Sequence, residues 1–507
     1  MRPWSRRALL TGAGALIAGC PTASTDGERP RPAHTGTTGL PLPEHPHIVY
    51  VFVDQLRWDA VGALGQAMRV TPVLDLFAEE AVAFRRCVTN APSCRPARTT
   101  MMTGLHVFEH GVSGGSTDPD PALGSHVARI RDEAGYHTAV VGKTDLHREP
   151  GHLADHADRL AAWGFDESVE LPDPPRWDVQ SVHSDHLTAT TPTGETDKYQ
   201  RWQDYILRYT WDAPPPDEPP WELGAWDHLD TFCAERAAEL VRTYTNDRPL
   251  YLQACFPGPR SPFDAPRVFV DAFDPYDPRL KLPILTAPQP PIAPFVSQTL
   301  ARQGEPWAEG SARRLLSRYY AKINLVDHGI GVLFDALREA GMWDDAWVIV
   351  HADHGELATD HLMTGRIAAY EGSIRVPLLI KPPRGVAGTV VDDLVDQRDV
   401  TATLLAAAGL DPAGMGDRDL GPDVLAGRGP GDKIVMFENL GMVGLREDQR
   451  KLTWDLAQGL PTELYLLDED PGELVNRIHD PALQGEVARL VGELRSRRPL
   501  EVDEWTG

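Results

Sequence analysis

The sequence predicts an α/β fold in which helices cover both faces of a mostly parallel sheet, followed by a smaller C-terminal α+β subdomain. Three observations support this prediction. Short, uninterrupted apolar runs such as HIVYVFVDQ at residues 47–55 are typical of strands that are buried on both faces. Amphipathic segments with helical periodicity separate these runs. After about residue 428 the pattern changes to short, closely spaced strands followed by one helix.

The first twenty residues, MRPWSRRALLTGAGALIAGC, predict a targeting signal. Arg6 and Arg7 precede a short apolar run, as in twin-arginine export signals, and this run is too short to span a bilayer. It ends in LIAGC, which is similar to a bacterial lipoprotein box with Cys20 as the lipidated residue. We therefore expect twin-arginine export and a lipid anchor on Cys20 at the periplasmic or outer cell-envelope surface, with no other membrane contact. An uncleaved apolar tail is the alternative.

Residues 21–45 are rich in Pro, Thr and Gly and contain almost no large apolar side chains, so they predict a flexible linker. Residues 46–428 then form the predicted large domain, and residues 429–507 form the predicted C-terminal subdomain.

Within the large domain, further strands and helices follow from the same patterns. The predicted strands after the first are HTAVVGK, PLYLQACF, WVIVHADHG and VPLLIKPP. The predicted helices include TPVLDLFAEEAVAF at residues 71–84 and LLSRYYAKINLVDHGIGVLFDALREAG at residues 315–341. In the C-terminal part, DKIVMFEN, RKLTWD and TELYLLDEDPGEL predict strands, and PALQGEVARLVGELRSR predicts a helix.

Between residues 173 and 230 this pattern loosens into a segment rich in proline and tryptophan. Five of the thirteen tryptophans lie there: Trp177, Trp202, Trp211, Trp221 and Trp226. They form either a wall of a substrate cleft or the aromatic anchors of a long loop.

The formal net charge of −25 argues against nucleic acid as a partner, because phosphate binding needs clustered cations. An anionic substrate would need a locally positive pocket. Five cysteines at positions 20, 87, 94, 233 and 255 leave room for at most one internal disulfide if Cys20 is lipidated and Cys94 has a chemical role. Their spacing does not match a structural zinc site.

Polar side chains stand at the ends of two predicted strands. Asp54 and Gln55 end the first strand, and Asp353 and His354 end WVIVHADHG. In a parallel sheet, ligands bind beyond the carboxyl ends of the strands. Each residue alone is compatible with a helix cap or a turn. Two carboxylates, an amide oxygen and an imidazole together predict a site for one divalent cation.

The segment SCRPARTTMMTG at residues 93–104 places Cys94 at the start of a helix that we expect to begin near Pro96. The helix dipole, Arg95 and Arg98 favour negative charge beside the sulfur. An activated thiolate would explain these cations, but it would not explain the proline.

SCRPARTTMMTG resembles the signature of the type I sulfatases of the alkaline phosphatase superfamily, whose core is Cys-x-Pro-x-Arg. The resemblance continues in family order through VFVDQLRWDAVG, TPVLDLFAEEAVAF, AGYHTAVVGK, YYAKINLVDHGIG, ADHGE, YEGSIRVPLLIK and ELYLLDEDPGEL. It implies an alkaline-phosphatase-like fold and oxidation of Cys94 to formylglycine by a formylglycine-generating enzyme. The proline and arginine of the core then belong to the sequence that this enzyme recognises.

In that family, formylglycine hydrates to a geminal diol, and one oxygen of the diol attacks sulfur and expels the alcohol. The second hydroxyl then loses its proton, the hemiacetal collapses and sulfate departs by carbon–oxygen cleavage. A serine side chain has no second hydroxyl and could not release sulfate by this route.

The resemblance also assigns roles to individual residues. Arg98 steadies the diol, and Lys143 contacts the sulfate. The metal ligands are Asp54, Gln55, Cys94 in its oxidised form, Asp353 and His354. Gln55 and His354 are similar to the choline-sulfatase and phosphonate-monoester-hydrolase branches, which leaves the metal open between Ca²⁺ and Mn²⁺. Ca²⁺ is the expected metal, with Mn²⁺ or Mg²⁺ as alternatives.

Three positions depart from the family pattern. The family often has Gly-Lys-Trp-His where this chain has GKTDLH, with Asp145 at the histidine position. We expect His147, on the same face if the strand continues, to substitute. Arg260 in PGPRSP replaces a histidine and cannot donate a proton at neutral pH, so it is expected to bind sulfate or a substrate carboxylate. Arg366 replaces a lysine. The alternative is an Asp145–Arg260 salt bridge in a decayed site.

These residues together predict hydrolysis of a sulfate monoester carried by a small molecule or a glycan. The alternatives are a phosphonate monoester or phosphodiester hydrolase with the same nucleophile, and a catalytically weakened binder of sulfated glycans. A two-zinc phosphatase is disfavoured, because the sequence offers no second set of histidine and aspartate ligands.

Overall fold

The structure, a computed structural model, describes residues 42–174, 176, 179–207, 221–288, 292, 294–303, 307–366 and 368–500. The predicted targeting signal with Arg6, Arg7 and Cys20 lies outside these ranges, as do residues 21–41 of the predicted linker, so both stay predictions. In the described ranges, no helix has the length and apolar character needed to cross a bilayer.

The described ranges contain twelve strands. In chain order they are β1 His47–Asp54, β2 Val82–Val88, β3 His137–Gly142, β4 Glu167–Glu170, β5 Leu250–Pro259, β6 Ala346–Ala352, β7 Arg375–Lys381, β8 Thr389–Asp396, β9 Ile434–Asn439, β10 Met442–Glu447, β11 Arg450–Asp455 and β12 Leu460–Leu466.

The same ranges contain fifteen α-helices and several short 3₁₀ turns. The helices are α1 Pro72–Phe77, α2 Cys94–Thr103, α3 Val107–His110, α4 His126–Asp132, α5 Ala157–Ala162, α6 Val182–Ala189, α7 Lys198–Leu207, α8 Leu229–Thr243, α9 Arg267–Val270, α10 Pro294–Gln303, α11 Glu309–Glu339, α12 Glu371–Ile374, α13 Gln397–Ala407, α14 Gly421–Leu425 and α15 Gln484–Arg497.

Eight strands form one sheet in the order β4-β3-β5-β1-β6-β7-β2-β8. Only β7 runs antiparallel to its neighbours within this sheet. The central strand β1 pairs with β5 and β6, and Val51 lies opposite Ala254 on one side and Val350 on the other. The predicted mostly parallel sheet is therefore confirmed.

Helices cover both faces of this sheet. On β5, the Tyr251 hydroxyl lies 2.8 Å from Nε2 of His126 in α4. Phe256 lies five positions later, on the opposite face of the sheet. It packs where Gly329 of α11 approaches the sheet. Every residue of β5 is buried. This two-sided burial explains why the strand sequences are continuously apolar instead of alternating.

The remaining four strands form an antiparallel sheet in the order β12-β11-β10-β9. One face of this sheet packs against α15 through apolar side chains, among them Leu445 and Leu452 from the sheet and Leu490 and Leu494 from the helix. This arrangement confirms the smaller C-terminal α+β part of the predicted fold. The boundary at residue 428 stays a prediction.

Some local predictions were wrong. The helix expected over residues 71–84 ends at Phe77, and Val82 already belongs to β2, because it pairs between Ile380 of β7 and Thr389 of β8. Sheet pairing therefore overrides the helical periodicity of this segment. Strand β10 was not predicted, because Gly444 weakens its pattern. In the structure Gly444 is needed there, since an added Cβ would lie 2.3 Å from the Phe437 ring.

Candidate active site

The candidate site lies at one edge of the large sheet, where four adjacent strands end. Strands β3, β5, β1 and β6 are parallel neighbours, so their carboxyl ends meet at this edge. Lys143 follows β3, Arg260 follows β5, Asp54 ends β1 and Asp353 follows β6. Four residues that are far apart in sequence are thereby brought together.

Gly142 makes the turn into the site at the end of β3. Its φ angle is +112°, a conformation that side chains other than glycine rarely adopt. A Cβ at this position would also lie only 1.9 Å from the Cys255 carbonyl oxygen of β5. Glycine is therefore required for Lys143 to enter the site beside Arg260.

Cys94 is the first residue of α2, and Ser93 is the N-cap. The predicted place of Cys94 at the start of a helix is confirmed, and the helix begins two residues before Pro96. Pro96 lies in the first turn, where the backbone N–H groups have no partner within the helix, so the ring costs no hydrogen bond. The side chain of Cys94 thus lies at the positive end of the helix dipole, and the residue is only 4% exposed.

Cys94 is one of four potential metal ligands that lie close together. One ligand atom from each of Asp54, Cys94, Asp353 and His354 lies within 4.8 Å of every other. The Cys94 Sγ atom is 3.2 Å from His354 Nε2 and 3.8 Å from Asp54 Oδ1. His354 Nδ1 lies 2.9 Å from the Gly355 carbonyl oxygen, which requires a proton on Nδ1 and leaves the Nε2 lone pair facing the cluster. Burial lowers the pKa of His354 well below its usual value, so the ring stays neutral.

Gln55 lies beside this cluster but is held by different partners. Its backbone N–H donates to Asp353 Oδ1 over 2.9 Å, and its φ angle is +69°. The side-chain Nε2 donates to Glu356 Oε2, and the Oε1 atom accepts from Arg366 Nη1 at 3.4 Å. Glu356 was not predicted as a site residue. The sequence signal for it was the acidic residue that ends ADHGE.

Arg98 bridges the two carboxylates of the cluster. Its Nη2 atom is 3.1 Å from Asp54 Oδ2 and 3.1 Å from Asp353 Oδ2, and its guanidinium stacks over the Phe52 ring. Burial would raise the pKa of Asp54, but Lys143 and Arg98 lower it well below its usual value. For Asp353, burial and the charge of Asp54 raise the pKa to about 6. Two carboxylates this close resist joint ionisation, and a bound cation would relieve that repulsion.

The thiol of Cys94 is not activated. Burial raises the pKa of Cys94 to about 11, although the charge of Arg366 opposes this shift. The neighbouring cations therefore do not produce a thiolate at neutral pH, and the activated sulfur considered from the sequence is not favoured. Because the thiol is the nucleophile only as a thiolate, the unmodified residue is a poor nucleophile.

Two cations complete the surroundings of Cys94. The Lys143 ammonium contacts three carboxylates: Asp54, Asp145 Oδ2 at 3.1 Å and Asp173 Oδ1 at 3.0 Å. Arg260 Nη1 is 3.2 Å from Cys94 Sγ, and its Nε is 2.7 Å from Asp173 Oδ1. The Asp145–Arg260 salt bridge considered from the sequence is replaced by Asp145–Lys143 and Asp173–Arg260. Asp173 was missed because it lies in the irregular LPDPP segment.

His147 does not follow the expected strand geometry. Strand β3 ends at Gly142, and Asp145 has a φ angle of +57°, so the chain turns before His147. His147 Nε2 lies 2.7 Å from Glu170 Oε2. Burial would lower the pKa of His147, but the hydrogen bond with Glu170 raises it. The assumption of a continuing strand was therefore wrong, although His147 still lines the same cavity as Cys94.

A cavity of about 240 Å³ opens above Cys94. Its lining is mostly charged and includes Arg95, Lys143, Arg260 and Arg366 on the cationic side. The protein is acidic overall, yet this cavity presents several cations around Cys94. This is the locally positive pocket that an anionic substrate needs.

The described tryptophans of residues 173–230 anchor the segment. Trp202 of α7 and Trp221 are buried together with Leu187, Tyr205 and Ile206. Trp226 is 42% exposed, and none of these three lines the cavity. Trp177 and Trp211 lie outside the described residues. For the described tryptophans, the structure therefore favours aromatic anchors over a cleft wall.

A protein-family model described as Sulfatase matches residues 46–410. An arylsulfatase of Clostridium perfringens is 26% identical over 379 residues, which cover 71% of this chain and 74% of the relative. An ulvan-active sulfatase of Formosa agariphila is 27% identical over 393 residues, covering 75% and 65%. The solved phosphonate monoester hydrolase of Agrobacterium radiobacter aligns with a TM-score of 0.71 at 23% identity, covering 89% of this chain and 95% of its own. At that identity, this last likeness shows the fold alone.

Proposed function

This chain belongs to the sulfatase family of the alkaline phosphatase superfamily and is a sulfuric ester hydrolase, and from that premise we propose that it hydrolyses a sulfate monoester with a formylglycine derived from Cys94 and one divalent cation. The observation that carries the proposal is the convergence of Asp54, Cys94, Asp353 and His354 on one point at the N-terminus of α2.

The donor set fits a divalent cation. Asp54, Asp353 and the unprotonated Nε2 of His354 are ligands of the right charge and type, and Cys94 Sγ stands where an oxygen of the oxidised side chain would lie. The raised pKa of Asp353 has burial as its first cause and the negative charge of the neighbouring Asp54 as its second. A divalent cation held here would neutralise that charge and make the attacking oxygen easier to deprotonate. Ca²⁺ is the proposed metal, with Mn²⁺ or Mg²⁺ as alternatives.

Gln55 is the proposed additional ligand. Its amide nitrogen already donates to Glu356, so its amide oxygen is the atom left to face Arg366 and the cluster. A neutral amide in place of another carboxylate would keep the net negative charge of the site low.

Oxidation of Cys94 fits the protonated, buried state of its thiol. The unmodified residue is a poor nucleophile, whereas a formylglycine hydrate supplies an oxygen nucleophile and an exit for the sulfate. The proposed partner in maturation is a formylglycine-generating enzyme that reads Cys94, Pro96 and Arg98 before the chain folds, because all three residues are buried in the folded protein.

The remaining site residues orient the substrate. Arg260 and Arg366 approach Cys94 from the cavity side and are proposed to hold the sulfate oxygens by charge-assisted hydrogen bonds. Lys143 adds positive charge behind them, and Arg98 fixes Asp54 and Asp353 in place. His147 is proposed to contact the substrate from the cavity wall that it shares with Glu170.

The proposed substrate is a sulfated small molecule or glycan. The names of the relatives, an arylsulfatase and an ulvan-active sulfatase, support both classes. The proposed localisation is the cell envelope. We propose that the protein reaches it by twin-arginine export and is anchored there by a lipid on Cys20. Residues 46–428 are the proposed catalytic domain, and residues 429–507 are the proposed C-terminal subdomain.

A phosphonate monoester hydrolase is the second candidate. It is supported by the combination of Gln55 and His354, which is similar to the phosphonate-monoester-hydrolase branch. Both reactions would use the same nucleophile.

The test combines three measurements on protein co-expressed with a formylglycine-generating enzyme. Mass spectrometry of the peptide around residue 94 is expected to show the aldehyde. Turnover of 4-nitrophenyl sulfate is expected to exceed that of an aryl phosphonate and to vanish after chelation and in Cys94→Ala. Dominant phosphonate turnover would overturn the sulfate assignment. An unmodified Cys94 with retained affinity for sulfated glycans would favour a binding protein instead.

A further inference from the structure

The small C-terminal sheet buries a polar face opposite the face that packs against α15. Residues paired directly across strands lie on the same face of a sheet. One such row across β10, β11 and β12 is Arg446, Lys451 and Tyr465. The next row, which packs against α15, is Leu445, Leu452 and Leu464. Because a buried ammonium is costly unless it is paired and hydrogen-bonded, Lys451, which is 1% exposed, needs specific partners.

Lys451 and Glu473 reach from this polar face to the chain that enters α12. The Lys451 ammonium pairs with the Glu473 carboxylate and donates to the Ala369 carbonyl oxygen over 2.5 Å. The other carboxylate oxygen of Glu473 accepts the backbone N–H of Glu371 at 2.7 Å. Glu371 is the first residue of α12, where the N–H groups have no partner within the helix. The ion pair therefore anchors the start of α12 to the C-terminal sheet.

Tyr370, the N-cap of α12, adds a third contact between these parts. Its hydroxyl donates to Glu463 Oε1 over 3.1 Å, and its ring packs with Tyr465 and Leu467. The Lys451 ammonium lies 5.5 Å from the centre of the same ring. The chain that enters α12 is thus held by the C-terminal part through both backbone and side-chain contacts.

Ser373 of α12 binds the backbone of Arg366. Its Oγ atom donates to the Arg366 carbonyl oxygen over 2.8 Å. The Arg366 side chain lines the cavity with Cys94, and its Nη1 atom is 3.4 Å from Gln55 Oε1. Burial raises the pKa of Cys94, and among the neighbouring cations Arg366 opposes this shift most. Arg366 therefore lies at the active-site end of a link that begins in the C-terminal sheet.

The same helix supports the turn that follows β6. The backbone N–H groups of Gly355 and Glu356 donate to the carbonyl oxygens of Ser373 and Gly372 over 2.7 and 3.0 Å. A Cβ at Gly355 would lie 2.1 Å from the Gly372 carbonyl oxygen, so this contact leaves no space for a side chain. Gly355 directly follows His354, one of the proposed metal ligands. Helix α12 therefore lies between the C-terminal sheet and the site and contacts both.

We propose that Lys451 and Glu473 are positioning residues of the active site, which hold Arg366 beside Cys94 through α12. The inference rests on the proposed function, in which Arg366 holds the sulfate oxygens. Neither Lys451 nor Glu473 is among the described residues that line the cavity, so both act through another residue. Loss of their ion pair frees the chain that enters α12. The Arg366 guanidinium then loses its fixed place, and the site binds sulfate less tightly.

A double variant removes the ion pair without leaving a buried unpaired charge. Lys451→Met with Glu473→Gln keeps an oxygen for the Glu371 N–H, but it removes the donor to the Ala369 carbonyl oxygen. The affinity for inorganic sulfate is measured by calorimetry on the metal-loaded full chain that carries formylglycine. We expect the double variant to bind sulfate about tenfold more weakly, since a hydrogen bond to a charged group is worth about this factor. The kcat/KM for 4-nitrophenyl sulfate is expected to fall with the affinity.

Arg366→Ala shows whether the effect passes through Arg366. In this background the same double substitution is expected to change sulfate affinity by less than about twofold, because the positioned group is gone. A merely structural role would weaken sulfate binding equally in both backgrounds. Ser373→Ala, a smaller change at the other end of the link, is expected to follow the same pattern, and it decides the cycle if the double variant does not fold. Leu490→Ala on α15 is the control, which should lower the melting temperature without changing sulfate affinity.

The outcomes distinguish this inference from the proposed function. Unchanged sulfate affinity in the variant that decides the cycle overturns the inference, and so do equal losses with and without Arg366. If aryl phosphonates prove to be the substrates, the sulfate proposal fails, and the same cycle with inorganic phosphate decides the inference. If sulfate binding follows the expected pattern but no ester is hydrolysed, only the proposed function fails. A wild-type chain that binds neither anion overturns both.

Discussion

Glu356 fixes the orientation of the Gln55 side chain inside the site. Glu356 Oε2 accepts from Gln55 Nε2, while Glu356 Oε1 accepts from the backbone N–H groups of Ala358 at 2.8 Å and Gly365 at 2.5 Å. Because a carboxylate accepts hydrogen bonds and does not donate them, Glu356 pairs with the nitrogen of the Gln55 amide and not with its oxygen. The amide oxygen is therefore turned toward Arg366.

We predict that Glu356→Gln weakens metal binding. The new amide keeps an oxygen for the two backbone donors and directs its nitrogen at Gln55, so the Gln55 amide must rotate and withdraw its oxygen. Loss of such a supporting partner typically costs about 10–100-fold in metal affinity. Metal titration followed by thermal unfolding measures this loss, and Glu149→Gln, on the cavity wall away from Gln55, is the matched control. Unchanged affinity in Glu356→Gln would contradict the role of Gln55 as a ligand.

Asp353 predicts an unusual pH dependence of stability in the metal-free protein. Its pKa is raised to about 6 in the folded state, above the value of about 3.9 in unfolded chains. The folded state therefore binds this proton more tightly than the unfolded state does. The stabilisation that the bound proton contributes is present below pH 4 and is lost as the pH rises toward 6. The lowered pKa of Asp54 acts in the opposite direction but below pH 4, outside this window.

Thermal unfolding of the chelated wild type and of Asp353→Asn between about pH 4 and pH 6 measures this effect. We expect the melting temperature of the wild type to fall relative to that of the variant as the pH rises, and we expect added metal to restore it at neutral pH. Parallel pH profiles for the two proteins would refute the prediction.

Gly142→Ala is expected to unfold or strongly destabilise the protein. The new Cβ meets the Cys255 carbonyl oxygen at 1.9 Å, in addition to the strain of the positive φ angle. Gly135→Ala is the control, because Gly135 has a φ angle of +76° but no atom within 4 Å of an added Cβ. Gly135→Ala should lower the free energy of unfolding by only about 1–2 kcal/mol, because only the positive φ angle opposes the new side chain. Chemical denaturation measures the free energy of unfolding of both variants. Equal decreases in this free energy would show that the contact with β5 adds no cost at Gly142.

Trp221→Ala and Trp226→Ala test the role of the segment at residues 173–230. Trp221 is buried, so its truncation should cost about 3–5 kcal/mol of unfolding free energy. Trp226 is largely exposed, so its truncation should leave stability within about 0.5 kcal/mol of the wild type. As neither residue lines the cavity, KM for aryl sulfates should change little in both variants. A large rise in KM for Trp226→Ala would instead support a cleft wall.

The order of the strands explains how much of the site was predictable. Asp54, Gln55, Asp353 and His354 were found because each follows an apolar run, and parallel strand ends meet at one edge of the sheet. Cys94 was found from its sequence motif. Asp173 and Glu356 were missed, because they act through a neighbouring cation or amide and lie in segments without periodicity. The turn at Asp145 was missed as well, because a positive φ angle at a residue other than glycine leaves little trace in sequence.

Cys87, Cys233 and Cys255 are buried in the sheet and its covering helices, and none of the cysteines in the described ranges forms a disulfide. Packing of the described residues therefore does not depend on a disulfide. Because none of the four cysteine sulfurs in the described ranges is consumed by cross-linking, the proposed conversion of Cys94 would remove one titratable sulfhydryl from the denatured chain. The number of sulfhydryl groups per denatured chain therefore measures the extent of maturation in any preparation, before a substrate is known.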